Sequence, residues 1–226
     1  MHLAKSNKNN PNLQKSMTVR ALLCFFSNKH LLIHIPKTGG SSLEHAIVSS
    51  YLKDVNESQL EDLAYEHFSV HGYFANKIKG KGGHTHSFIS EYDQFLNIDD
   101  YYKFVVLRNP FDQVVSLYNQ LRKQTPIPSL EHFILGDENL TIKNVSHYID
   151  QYKFTHINGE LRVDKVFVFD RYHESQEFIE ERFNITMDRA KRLWKTEYTG
   201  EKLSIEAKRY FESIYHQSIE LYHRFL

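Results

Sequence analysis

Three short, almost continuous apolar runs constrain this chain most: "KHLLIHI" (29–35), "KFVVL" (103–107) and "KVFVF" (165–169). Runs this short, with so few polar residues, predict strands buried on both faces. The first two pass through a brief polar joint into apolar residues at helical spacing. These are Leu43, Ala46, Ile47 and Tyr51 after the first run, and Phe111, Val114, Val115, Leu117 and Tyr118 after the second. Strands alternating with helices predict an α/β fold whose central, mainly parallel sheet is covered on both faces. A chain of 226 residues is long enough for one substantial core. Residues 18–226 are therefore expected to form a single domain, behind a loose Asn/Lys-rich polar tail over residues 1–17.

Further helical patterns run over 57–68, 129–135, 141–152, 174–183, 187–194 and 204–225. Pro110 sits where a first helical turn welcomes proline. "ANKIKGKGGHTHS" (75–87), with its glycines and lysines, predicts an exposed loop. Asn158-Gly159, between alternating residues of "FTHINGELRVD", predicts a hairpin turn.

Charge and composition exclude several partners. Lys+Arg and Asp+Glu balance at 28 each, so no global field draws the chain to nucleic acid or an anionic membrane. Any anion binding must be local. Cys24 is the single cysteine, which rules out an internal disulfide and suits a reducing compartment. The most apolar stretch near the start, "ALLCFF" (21–26), is far shorter than the ~20 residues of a membrane span. It lacks the features of a secretory signal as well. The expectation is a cytoplasmic protein without a transmembrane segment.

The joint after the first strand is "PKTGGSS", comprising Pro36, Lys37, Thr38, Gly39, Gly40, Ser41 and Ser42. A loop leaving a strand and entering a helix presents unpaired backbone N–H groups at the positive end of the helix dipole. Glycines allow close approach of that backbone to an anion, hydroxyls add donors, and Lys37 adds a full charge. The combination suits a phosphate or a sulfate. It is not a Walker A loop, in which the lysine follows the glycines; here Lys37 precedes them. The plainer alternative is an ordinary turn with Ser41 or Ser42 as N-cap.

The second joint, "RNP", sharpens the reading. Arg108 ends a buried strand, and Ser116 lies about two helical turns further on. In a parallel sheet both joints open on one edge, where ligands of such folds bind. Arg108 offers a fork to a phosphate and Ser116 a hydroxyl, so the edge suits a ligand with two separated anionic groups. A salt bridge from Arg108 to Asp112 is the alternative.

"IPKTGGSSL" followed by "FVVLRNPFDQVVSLY" resembles the two nucleotide-binding signatures of sulfotransferases that use 3'-phosphoadenosine 5'-phosphosulfate (PAPS). The likeness is to carbohydrate sulfotransferases, in particular the heparan sulfate 2-O branch and its small bacterial relatives. It extends through "GHTHSFISEYDQFL", "QYKFTHINGELRVDKVFVFDRYHE" and the last helix. The resemblance implies a P-loop-like, three-layer α/β/α fold. It assigns Lys37, Thr38, Gly39, Gly40, Ser41 and Ser42 to the 5'-phosphosulfate, with Lys37 at the bridging oxygen. Arg108 and Ser116 fall to the 3'-phosphate, and the product nucleotide would be 3',5'-adenosine bisphosphate. The implied acceptor is a hydroxyl of a glycan, and no metal is required.

Sulfuryl transfer to an alcohol needs a base for the hydroxyl proton. The resemblance points to the H-x-H pair His84 and His86 and does not choose between them. Both are alternatively solvated loop residues among the 14 histidines of the chain, or metal ligands lacking a clear third partner. Glu44 fits dipole and capping chemistry better than base chemistry. His67 and His71 are candidates for the acceptor cleft. Arg171 either supports the site or forms a surface ion pair. Lys195 and Thr196, in a loop shorter than the relatives' pattern, are weaker candidates for nucleotide contact. Two other functions compete: phosphoryl transfer by a P-loop kinase or NTPase, for which "KVFVFD" imitates a Walker B strand, and a non-catalytic nucleotide-binding module.

Overall fold

The structure is a computed structural model and describes residues 29–40, 42–43, 86, 88–94, 97–136, 141–145, 149–187 and 203–226. The three apolar runs form one parallel sheet: β1 (His30–Ile33), β2 (Tyr102–Leu107) and β5 (Lys165–Val168), with β2 in the centre. Ile33 lies opposite Val105, and Leu107 opposite Val168, so all three strands end on the same edge. Between β2 and β5 come α2 (Pro110–Leu121), α3 (Leu130–Leu135), α4 (Ile142–Val145) and α5 (Gln151–Thr155). The two-residue strands β3 (His156–Ile157) and β4 (Glu160–Leu161) follow. Before β2 lies α1 (Ile89–Asp93); after β5 come α6 (Tyr172–Phe183) and α7 (Ile205–Phe225).

Alternation along the strands explains why the runs are apolar throughout. Leu31, Ile33, Val105, Leu107 and Val168 pack with Ile89 and Tyr92 of α1, Phe154 of α5, and Leu221 and Tyr222 of α7. Leu32, Phe104, Val106 and Phe167 turn to the other face, against Leu43 and α6 residues Ile179 and Phe183. Each such side chain contributes roughly 1.5–3 kcal/mol when withdrawn from water. The sheet is thus buried on both sides, as the sequence predicts.

Lys103 is the polar exception, 5% exposed on the central strand. Its ammonium meets Asp164 at 2.9 Å and donates to the carbonyls of Tyr101 and Ile98. The Asp164 carboxylate also accepts the Lys103 backbone N–H at 2.6 Å, which fixes the register of β5 on β2.

A third apolar cluster joins α2, α3 and α4 to the first half of α7, through Val115, Phe133, Ile142, Ala207 and Phe211. Tyr215 has non-helical dihedrals (φ −110°, ψ 18°) inside α7. That kink lets the first half of α7 serve the helical cluster and the second half the sheet.

Several local expectations hold. Pro110 is the first residue of α2, the patterns over 129–135 and 204–225 are α3 and α7 with Ser129 and Ser204 found as their side-chain caps, and Asn158 and Gly159 turn at φ 51° and 84°. Two differ. The helix expected over 141–152 is α4 and then a new helix, α5, because the Asp150 side chain accepts the Lys153 N–H and starts another turn. Phe154 and Thr155, expected in the hairpin, belong to α5. The helical pattern over 57–68, that over 187–194 beyond Met187, and the loop over 75–87 except His86 lie outside the described residues.

Candidate active site at the sheet edge

The chain leaves β1 through His34 and Ile35 and turns at once through Pro36–Gly40. Two residues of the turn have positive φ, Lys37 at 66° and Gly39 at 94°. Glycine adopts such a backbone without penalty, whereas a lysine there costs ~1–2 kcal/mol. Side chains from across the fold hold the shape. The Thr38 hydroxyl donates to Ile35 O at 2.9 Å, Gln113 Nε2 to Pro36 O at 2.8 Å, Arg108 Nη1 to Lys37 O at 3.0 Å, and the Tyr172 hydroxyl to Gly39 O at 2.7 Å. With these carbonyls engaged by protein donors, they do not oppose an anion brought to the loop.

The helix after the loop begins at Gly40, and both Ser42 N–H and Leu43 N–H donate to Gly39 O. Gly39 therefore occupies the N-cap, and the alternative of a serine cap is not what is found. Ser42 sits in the first turn, its side chain bonded to the Tyr172 hydroxyl. Burial pushes that phenol well above its ordinary range, so it stays a neutral donor.

The two glycines are also required by rings of the protein itself. A Cβ on Gly39 would lie 2.6 Å from Tyr172 Cε2, and one on Gly40 would lie 2.3 Å from His34 Cδ2. The loop is packed between two aromatic side chains, a reason for glycine additional to close approach by an anion.

The second joint meets the first. Asn109 caps α2, accepting the Phe111 N–H at 2.9 Å, and this releases Arg108 from the strand toward the loop. Gln151, fully buried, grips the Arg108 backbone twice: Oε1 accepts its N–H at 3.0 Å, and Nε2 donates to its carbonyl at 2.7 Å. The guanidinium lies over the Phe169 ring at 4.6 Å. Among the described residues its buried Nε has no hydrogen-bond partner. Among the described residues Arg108 forms no ion pair within 4.0 Å; Asp112 and Asp170 act on it only at longer range. The alternative of an Arg108–Asp112 salt bridge is thereby removed.

Lys37 and Arg108 share an electropositive corner. Burial lowers the Lys37 pKa, and the charges of Arg108 and Lys123 lower it further. Burial likewise lowers that of Arg108. Cations held together against desolvation and mutual repulsion are what an anion would relieve. The residues present thus fit a phosphate- or sulfate-bearing ligand.

Ser116 lies in α2, 3% exposed. His86 stands beside the first joint: its Nδ1 is 3.1 Å from His34 O, and the two rings meet edge to face at 4.4 Å. Arg171 turns away, pairing with Glu174 at 3.0 Å and donating to Phe225 O. Of its two expected roles, the ion pair is the one found. Asp170, in the Walker B-like position, accepts the Tyr222 hydroxyl at 2.6 Å. Ser41, Glu44, His67, His71, His84, Lys195 and Thr196 lie outside the described residues.

Sequence reasoning missed His34, Gln113, Gln151, Phe169 and Tyr172. His34 was hidden inside an apolar run, and Gln113 inside a helical pattern. Tyr172 stands next to Arg171 and has the stronger link to the loop.

A family model described as "Sulfotransferase family" matches residues 23–225. No curated protein and no solved structure matches the chain.

Proposed function

This chain belongs to the sulfotransferase family, and from that premise we propose that it moves the sulfuryl group of PAPS to a carbohydrate hydroxyl by in-line displacement. The P-loop-like, three-layer arrangement of the relatives is part of the same reading. One observation carries it: Arg108, stacked on Phe169 and clamped by Gln151, keeps a buried Nε that has no partner among the described residues, beside the Lys37 loop. A guanidinium built in this way lacks an anion, and the 3'-phosphate supplies one.

In this mechanism the loop from Lys37 to Ser42 holds the 5'-phosphosulfate. Lys37 contacts the bridging oxygen and stabilises the charge left on the departing phosphate. Arg108 and Ser116 hold the 3'-phosphate. His84 or His86 takes the proton of the acceptor hydroxyl as the new O–S bond forms. The site needs no metal ion for this chemistry. No described helix is long and apolar enough to cross a membrane. The single Cys24 suits a reducing compartment, so the proposed location is the cytoplasm.

Phosphoryl transfer has one observation for it, the carboxylate of Asp170 two residues beyond the end of β5. In a Walker B site that carboxylate would serve Mg²⁺, whereas here it is engaged by Tyr222. A non-catalytic nucleotide-binding module would bind PAPS without turning it over. Incubation with ³⁵S-labelled PAPS and a panel of oligosaccharides tests the proposal directly. Transfer of label that is lost in Lys37→Ala supports it. Retention of all label on the nucleotide, together with phosphate transfer from Mg-ATP, would establish the kinase reading instead.

A further inference from the structure

The His34 side chain touches both the Gly40 loop and His86, the two parts of the proposed machinery. It is 3% exposed, one residue beyond β1. Its ring lies under Gly40, so close that a Cβ there would sit 2.3 Å from Cδ2 and 2.7 Å from Nε2. The same ring meets His86 edge to face at 4.4 Å and 80°, and the His34 carbonyl is 3.1 Å from His86 Nδ1.

A backbone carbonyl has no proton to give. Its partner in a hydrogen bond must donate, so His86 Nδ1 carries a proton and the neutral ring has its lone pair on Nε2. The His34 carbonyl is not free to turn away. On one side the chain is paired in β1, and on the other Ile35 N–H donates to Ile33 O at 3.1 Å while the Thr38 hydroxyl holds Ile35 O.

We infer that His34 is a positioning residue for His86: its carbonyl fixes the tautomer with a basic Nε2, and its ring sets the distance of that base from the Gly40 loop. What the base does rests on the sulfotransferase reading above; how it is held does not. In the transfer, the acceptor oxygen forms its bond to sulfur as the bond from sulfur to the bridging oxygen breaks. The electron pair leaves on the 5'-phosphate beside Lys37, and the acceptor proton passes to His86 Nε2. The imidazolium so formed donates more strongly from Nδ1 to the His34 carbonyl, so this bond strengthens as charge develops.

The test needs neither acceptor nor donor. Two-bond ¹H–¹⁵N correlation spectra of the full chain labelled with [¹⁵N]histidine report the tautomer of each ring, and loss of one set of signals in His86→Asn assigns His86. The expected result is a single Nδ1–H tautomer in the wild type, retained in His34→Phe; in His34→Ala the carbonyl remains but the ring that holds His86 against it is gone, and an exchanging mixture is expected. An Nε2–H tautomer in the wild type overturns the inference. So does an unaltered His86 in His34→Ala. Calorimetric titration of His34→Phe with 3',5'-adenosine bisphosphate is expected to give affinity within about twofold of wild type, since the ring contact with Gly40 is kept. Failure of the bisphosphate to bind the wild type would remove the PAPS-dependent reading. It would leave the arrangement to be judged by the tautomer alone.

Discussion

At the scale of single residues, the site depends on groups held where they are least comfortable. Lys37 has positive φ, is half-buried, and stands near Arg108 and Lys123. Its pKa is lowered from 10.5, so it releases its proton earlier in the folded chain than in the unfolded one. In the window between the lowered value and 10.5 the unfolded state binds more protons, and Lys37 makes stability rise with pH there. In the proposed site donor binding would have the opposite sign, because an anion there needs the protonated lysine. The alkaline limb of bisphosphate affinity is therefore expected below the ordinary lysine value, and it should disappear in Lys37→Met. Calorimetry across that range checks both points; a limb that persists in the variant would deny Lys37 the role.

Gly40 makes a second prediction at this scale. An added methyl meets the His34 ring at 2.3 Å, and β1 leaves the ring no easy retreat. Gly40→Ala should cost ~1–3 kcal/mol, in line with other overpacked cores, and should lower the thermal midpoint measurably. An unchanged midpoint would show that the ring gives way. The glycines were visible in the sequence as loop formers; their ring neighbours were not, because Tyr172 comes from a distant element.

At the scale of elements, the two joints are tied by neutral side chains reaching backbone atoms. Gln113 brings α2 to Pro36, Tyr172 brings α6 to Gly39, and Gln151 brings α5 to Arg108. Such links follow no periodicity, which is why the sequence disclosed the strands and their joints without the struts between them. The split between α4 and α5 belongs here. Asp150 is an ordinary N-cap signal, but apolar residues on both sides continue a helical pattern across it. Gln151→Ala removes both bonds to the Arg108 backbone and leaves two polar groups to be re-satisfied. The expected cost is about 2–4 kcal/mol in chemical denaturation. Bisphosphate affinity should fall as well, since Arg108 loses its clamp. Stability loss without any change in affinity would separate Gln151 from the site.

At the scale of the whole molecule, the fold was largely legible. Runs buried on both faces leave little but a parallel sheet, and parallel strands bring Pro36–Gly40, Arg108 and Phe169 to one edge. Which face each helix covers was not legible, because α7 serves two clusters through its kink at Tyr215. The pairing of His34 with His86 was equally hidden, as it spans 52 residues of chain. The central claim is that this edge takes a nucleotide with phosphates at both the 3' and 5' positions. Calorimetric titration of the purified chain without magnesium, using 3',5'-adenosine bisphosphate and ATP in turn, tests it most directly. The account predicts binding of the bisphosphate in preference to ATP and its loss, by at least tenfold, in Arg108→Ala. Equal binding of the two nucleotides, or an Arg108→Ala variant that binds the bisphosphate as well as the wild type, would contradict it.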